Sequence, residues 1–351
     1  MSVVSYKCPS CGAGIAFDSE KQKFACEYCL SEFTEAEMSS QTQPEDISEE
    51  HHITDAENEE FCDGLLSYSC SSCGAEVFAD KDTASDICPY CHNPVICEGR
   101  LSGQLKPHKI IPFAFDKAEA ERRFLAFAKK KWFVPKGFFA PDQVDKIRGI
   151  YYPFWLTDAD ITASGSAKAE NVRTWKVGKH MYTETSHFNL FRKGDIHFED
   201  VATGAYEGDD KDMLEGILPF PSDALVDFSM PYLSGFLSKK RNVEKDDVFE
   251  NVKSRITDYS TTMLKNTMNG YTVVRHVGTN VHLNKLHWDY TLLPIWILTY
   301  HKGKKTYTYA LNGHTGKVYG EIPISGKKLW ILFAIVTVAV AALFTTIGLL
   351  P

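Results

Sequence analysis

Residues 329–350 read LWILFAIVTVAVAALFTTIGLL, 22 positions without a charge. As an α-helix this stretch is about 33 Å long, against a hydrocarbon core of about 30 Å. A buried core helix is the alternative, but core helices are rarely apolar all round over this length. It is expected to be a transmembrane helix over 329–350, so that every group capable of chemistry lies on one side of a membrane. Lys327 and Lys328 precede it and no side-chain charge follows. By the positive-inside tendency the expectation is a single-pass protein of the cell membrane with a cytoplasmic N-terminus, and Trp330 at the headgroups. Residues 1–11 hold no apolar run of the signal-peptide kind.

Eight of the ten cysteines form four Cys-x-x-Cys pairs, and these repeat in register at an offset of 62 residues. Cys8, Cys11, Cys26 and Cys29 match Cys70, Cys73, Cys88 and Cys91. Tyr6, Gly12, Ala13 and Tyr28 match Tyr68, Gly74, Ala75 and Tyr90. Each unit is Cys-x2-Cys-x14-Cys-x2-Cys. Zinc takes four thiolates in tetrahedral geometry, and 14 intervening residues suffice for one hairpin. In the first unit Ala13–Asp18 should rise, Ser19–Lys21 turn, and Gln22–Cys26 return. The expectation is two zinc ribbons, 1–33 and 64–100, each holding one structural zinc ion. Reducing cytoplasm favours metal over disulfides, and a redox Cys-x-x-Cys would explain one pair rather than four. Cys62 and Cys97 fall outside the register.

Charge is unevenly divided. Residues 1–100 carry 20 acids against 5 bases, and residues 101–351 carry 26 against 33. Twelve of the acids lie in Glu32–Asp63, which has no Lys or Arg. So acidic a stretch with few large apolar residues reads as a flexible linker, 34–63, with a short helix near Thr34–Met38. The second ribbon is itself net acidic, so nucleic-acid phosphates should be repelled. Protein partners fit the ribbons better. A membrane-tethered nucleic-acid binder is the alternative.

The body, 101–326, alternates helical and strand patterns. Helices are expected over about Lys117–Lys131, opened by Asp116 with Glu119, and over about Asp246–Lys265, with Val248, Val252, Ile256, Tyr259 and Met263 on the apolar face. Strands are expected over Ile150–Leu156, Met181–Arg192, Asp195–Tyr206, Tyr271–Val277, Asn280–Leu292, Leu293–Tyr300, Thr306–Leu311 and Lys317–Ile322. Asn312–Gly316 is turn chemistry. Tyr152-Pro153-Phe154-Trp155 resembles Leu293-Pro294-Ile295-Trp296, a hint of two related halves. Trp155, Trp175, Trp288 and Trp296 read as core. The fold class is α+β: two N-terminal zinc ribbons, an antiparallel-sheet body with two long helices, and one C-terminal transmembrane helix.

No catalytic constellation stands out. The chain has no Gly-x4-Gly-Lys-Ser/Thr loop, no His-Glu-x-x-His and no Gly-x-Ser-x-Gly. His187, His197, His276, His282, His287, His301 and His314 are scattered over expected strands and turns. The reading is a non-enzymatic protein.

With paired four-cysteine ribbons and one apolar tail, the chain resembles a family of bacterial membrane proteins described as transcription-factor-IIB-type zinc-ribbon proteins, or as primosomal replication-restart helicases. Cys8, Cys11, Cys26, Cys29, Cys70, Cys73, Cys88 and Cys91 carry the first part of the likeness and the tail carries the second. The helicase description does not carry over, because the nucleotide loop is missing. Some family members are encoded beside homologues of phage-shock protein A and beside SPFH-type membrane scaffolds. The resemblance implies an adaptor that brings such partners to the bilayer.

Overall fold

The computed structural model describes residues 3–4, 6–40, 65–70, 76–80, 82–88, 94–97, 106–135, 138, 147–208, 211–302, 305–320 and 323–348. The acidic stretch 41–64, with Cys62, lies outside them, as do Cys73 and Cys91. The strands before the body are β1 (Val3–Val4), β2 (Ala16–Asp18), β3 (Lys23–Ala25), β4 (Glu32–Phe33), β5 (Leu65–Ser69), β6 (Glu76–Asp80), β7 (Thr83–Ile87) and β8 (Pro94–Cys97). Those that follow are β9 (Lys109–Ile110), β10 (Arg148–Val177), β11 (His180–Gly204), β12 (Val226–Asp227), β13 (Leu237–Lys239), β14 (Val273–Lys302), β15 (Lys305–Asn312) and β16 (Val318–Gly320). Helices are α1 (Glu35–Ser39), α2 (Lys117–Lys129), α3 (Lys211–Gly216), α4 (Lys245–Asn266) and α5 (Gly326–Gly348).

The class is α+β with sheet predominant. One sheet has the order β1-β8-β7-β13-β10-β14-β15-β16, with β11 on β10 and β9 and β12 as a side branch. A second joins β2-β3-β4, and a third pairs β5 with β6. The two cysteine units are built differently. β7 pairs with β13 through Ser85↔Ser238, and β8 pairs with β1 through Cys97↔Val3. Strands of the second cysteine unit are therefore members of the large sheet.

By compactness the chain forms two units, one of residues 1–153, 206–240 and 292–351, the other of 154–205 and 241–291. The first is centred on Phe113. Its ring stacks on Phe236 at 4.2 Å and meets Trp296 at 4.9 Å and Tyr151 at 5.0 Å, edge-on in both cases. Gly149 lies against this cluster; a Cβ there would fall 2.7 Å from the Phe236 ring. Asp116 caps α2, accepting from the Glu119 N–H at 2.8 Å, and Ala120, Phe124 and Ala128 form its buried face. Over Gly326–Leu343 no residue of α5 is buried, and mean hydropathy is 1.8. The helix is long and apolar enough to cross a membrane.

The second unit is a long hairpin with a helix on it. β10 and β11 pair without a break in chain order from Phe154↔Gly204 to Val177↔His180, apart from a bulge between Thr157 and Ala159. At the bulge Asp200 has φ +50, and its N–H donates to Asp158 Oδ1 at 2.9 Å. The tip is a two-residue turn in which Gly178 takes φ +60, a left-handed conformation that suits glycine. Ala159, Ile161 and Ala163 alternate along β10 and pack on Val252, Ile256 and Leu264 of α4.

Several expectations need correction here. Met181–Arg192 and Asp195–Tyr206 are one strand, as are the three segments expected within β14. Gly194 and Gly278 both lie within continuous strand, Gly194 opposite Ala163 of β10. The apolar face of α4 is also different. Val252, Ile256, Ser260 and Leu264 are buried, at i, i+4 spacing, while Tyr259 and Met263 are exposed. Trp175 is not core. It is exposed on the hairpin, stacked on its cross-strand partner Tyr182 with ring centroids 6.0 Å apart.

Because Ile256 sits at the centre of this layer, Ile256→Ala should destabilise the second unit by about 2–5 kcal/mol. Ser254→Ala on the open face should change stability by less than about 0.5 kcal/mol. Thermal melts of the detergent-solubilised chain, read alongside proteolysis within 154–205, separate the two.

Candidate metal centre

The first cysteine unit folds as two matching knuckles. In the first, Cys8 N–H donates to Ala13 O at 2.6 Å and Gly12 N–H to Cys8 O at 2.8 Å. In the second, Cys26 N–H donates to Ser31 O at 3.0 Å and Leu30 N–H to Cys26 O at 2.9 Å. Gly12 and Leu30, each four residues after the first cysteine of its knuckle, both have positive φ, +77 and +60. The hairpin between the knuckles pairs Ala16↔Ala25, Phe17↔Phe24 and Asp18↔Lys23, and β4 adds a third strand through Phe24↔Phe33. Thr34 then caps α1 in a reciprocal box with Glu37, and Met38 is buried.

This fold brings Cys8, Cys11, Cys26 and Cys29 together. All four sulfurs lie within 4.8 Å of one another, with Cys8–Cys29 at 3.5 Å and Cys11–Cys26 at 3.6 Å. Zinc–sulfur bonds of about 2.3 Å give a tetrahedron with edges of about 3.8 Å, so the donor set fits a single ion such as zinc. Among the described residues it is the one cluster in which three or more ligand atoms converge. Cys8 and Cys26 are buried and Cys11 and Cys29 more open. Without metal the thiols differ. The Ser31 hydroxyl and backbone N–H hold Cys29 down at about 6. Cys11 is favoured as thiolate by the Ala13 backbone, yet burial and the neighbouring thiols together push it up to about 12. A metal ion bound by four thiolates must therefore displace protons, and has no open position for substrate.

In the second cysteine unit, Cys70 and Cys88 are buried, while Cys73 and Cys91 lie outside the described residues.

The ribbon is docked, not loose. Phe17 N–H donates to Ser234 O at 3.1 Å, the Ser234 hydroxyl to Ile15 O at 2.7 Å, and Gln22 Nε2 to Phe113 O at 2.8 Å. Tyr232 stands edge-on to Phe17 with centroids 5.2 Å apart. In the second knuckle Tyr28 and Leu30 remain open, 85% and 82% exposed.

Sequence reasoning missed one constellation. His197 and His287, expected as scattered surface histidines, line one cavity of about 470 Å³ with Asp158, Asp160 and Lys285. His197 Nδ1 is 2.7 Å from Asp160 Oδ1, and its Nε2 is 3.5 Å from Glu199. The hydrogen bond to Asp160 raises the His197 pKa, with further help from the charges of Asp160, Glu199 and Asp158. The residues come from three strands, Asp158 and Asp160 from β10, His197 from β11, and Lys285 and His287 from β14, and the register that gathers them is not visible in any one strand alone.

Two outcomes follow. Cys26→Ser should cost the chain one metal ion by elemental analysis, and bound metal should be released progressively as pH falls and thiolates take up protons. In the second unit, His197 should titrate above the ordinary imidazole range, and Asp160→Asn should bring it back down. The pair's contribution to stability is present below that ordinary range and is lost as pH rises through the raised value. NMR of the imidazole protons against pH measures the shift.

No family model matches the chain, and no solved structure matches it. The chain is similar to YdjG of Bacillus subtilis (strain 168), itself described as an uncharacterized protein, with 32% identity over 330 residues. The match takes in 93% of this chain and 92% of that protein. A likeness of that extent is one of whole chains, and on it the protein belongs to the YdjG family.

Proposed function

We propose that this is a non-enzymatic, membrane-tethered adaptor: a zinc-stabilised ribbon captures a protein partner, and α5 holds it at the cytoplasmic face of the cell membrane. Zinc is the ion proposed for Cys8, Cys11, Cys26 and Cys29. A second structural zinc is proposed for Cys70, Cys73, Cys88 and Cys91, on the repeat of the same spacing and on the burial of Cys70 and Cys88.

The observation that carries the adaptor reading is the second knuckle. Leu30 is an L-residue held in the left-handed region, at a cost of about 1–2 kcal/mol that glycine would not incur. The fold nonetheless places Leu30 there, with both it and Tyr28 facing solvent. The left-handed backbone belongs to the knuckle, as at Gly12; what supports a contact surface is that an exposed leucine stands there in place of glycine, next to an exposed Tyr28. Four thiolates on one ion leave no position for catalysis, which supports a binding role. The double-ribbon resemblance makes phage-shock protein A-like and SPFH-type proteins the first partners to test, in a membrane-stress setting.

Tyr28→Ser combined with Leu30→Gly separates this reading from a folding defect, because glycine suits the backbone at position 30. The variant should keep its metal and its membrane fractionation but lose partners recovered by cross-linking from intact membranes. If a chain lacking residues 1–100 still recruits every such partner, the ribbons are not the adaptor surface.

A further inference from the structure

The start of α5 is held in a defined place within its own unit. Ser325 N–H donates to Phe133 O at 2.7 Å. Lys328 Nζ donates to Val134 O at 2.9 Å and to Trp132 O at 3.3 Å. The loop 131–134, which follows α2, therefore lies level with the first turn of α5. If Lys327 and Lys328 mark the membrane surface, so does this loop.

Its side chains suit that position. Trp132 is 81% exposed, and an indole with an apolar face and one N–H donor is most at home among headgroups. Beside it is a cavity of about 430 Å³ lined by Phe127, Lys130, Lys131, Trp132, Pro323 and Ile324. Lys131 Nζ lies 5.4 Å from the centroid of the Phe127 ring. Among the described residues no carboxylate pairs with Lys129, Lys130 or Lys131. Three cations in sequence are thus left uncompensated where the chain meets the membrane.

We infer that this cavity takes the headgroup of an anionic phospholipid from the leaflet that α5 enters. The lipid phosphate is held by the Lys130 and Lys131 ammonium groups, and the glycerol and first methylene groups lie against Phe127, Pro323 and Ile324. A small soluble anion would gain nothing from those apolar walls, whereas an amphiphile uses both halves of the cavity. The consequence is positional: the first unit, with its cysteine centre, is seated on the membrane surface rather than swinging from α5. The inference rests on α5 spanning the membrane.

The test uses the full chain in vesicles of equimolar phosphatidylcholine and phosphatidylglycerol. Carbonate extraction reports whether α5 spans, and native mass spectrometry reports which lipid stays bound. The native chain should retain phosphatidylglycerol over phosphatidylcholine. Lys130→Gln with Lys131→Gln should lower that preference by about fivefold for each lysine, while carbonate resistance is unchanged. Lys130→Arg with Lys131→Arg keeps the charge and should keep the preference, which guards against a merely damaged loop. Equal retention of both lipids by the native chain, or an undiminished preference in the glutamine variant, overturns the site while leaving the anchor standing. Displacement of the lipid by inorganic phosphate overturns it in favour of a soluble anion. Release of the native chain by carbonate overturns the spanning helix, and the lipid site falls with it.

Discussion

The contact on which the structure's organisation turns is the clasp between β2 and the segment around Ser234. Ser234 is fully buried, and it both donates to Ile15 and accepts from Phe17. Each bond is worth about 1 kcal/mol net, but breaking one leaves a buried polar group unsatisfied at about 1–3 kcal/mol. Tyr232 closes the apolar side of the clasp against Phe17 and Phe24. A cysteine ribbon on its own has almost no core, and metal normally supplies its stability. Here ribbon and body share one, so an ion bound by the four cysteines would stabilise the packing around Tyr232 as well as the knuckles themselves.

The second unit solves a different problem. A long two-stranded hairpin is marginal in water and needs a layer against it. Alanines at 159 and 163, with Ile161 between them, present a shallow face to α4, and Ala167 and Ala169 do the same for Leu190 and Met268. Arg241 completes this unit from its other end. It is only 7% exposed, with its guanidinium 5.1 Å from the Trp155 ring and 5.4 Å from that of Tyr290. Trp155 donates to Val243 O at 3.0 Å, so its buried indole N–H is satisfied. The sequence motif repeated as Tyr-Pro-Phe-Trp and Leu-Pro-Ile-Trp thus serves two unlike ends: Trp155 packs under a cation, Trp296 against the Phe113 cluster.

What could be read from the sequence is what is local. Four cysteines at knuckle spacing, the Asp116 cap of α2 and the apolar run of α5 each depend on residues within one or two turns of chain, and the structure forms all three. The positive φ of Leu30 was available by the same reasoning, since it stands four residues after Cys26 as Gly12 stands after Cys8. Only the choice of leucine over glycine hid it. What was not legible depends on pairing at a distance. Nothing within Thr83–Ile87 says that it will find Ser238, and nothing in Asp158, Asp160, His197 or His287 taken singly says that the hairpin register will gather them around one cavity. Gly194 and Gly278 weaken a strand locally, and only the partner strand decides whether the chain turns there.

The exposed face of α5 is what makes this helix a candidate membrane span. Leu329, Trp330, Ile331, Phe333, Ile335 and Val338 are all open, and Leu332, on the remaining side of the helix, is also exposed. Burying a large apolar side chain is worth about 1.5–3 kcal/mol, so leaving six in water forfeits an amount comparable to the whole stability of a typical domain. Such a helix is covered by something apolar in the working protein. A second copy would cover one stripe and leave the others wet, whereas a bilayer covers all of them at once. Lys129–Lys131 and Lys327–Lys328 lie at the start of the helix, where a leaflet surface would meet them. The apolar run and the basic collar are far apart in sequence on one side and adjacent on the other, and the hydrogen bonds from Lys328 to the 132–134 backbone make them a single surface.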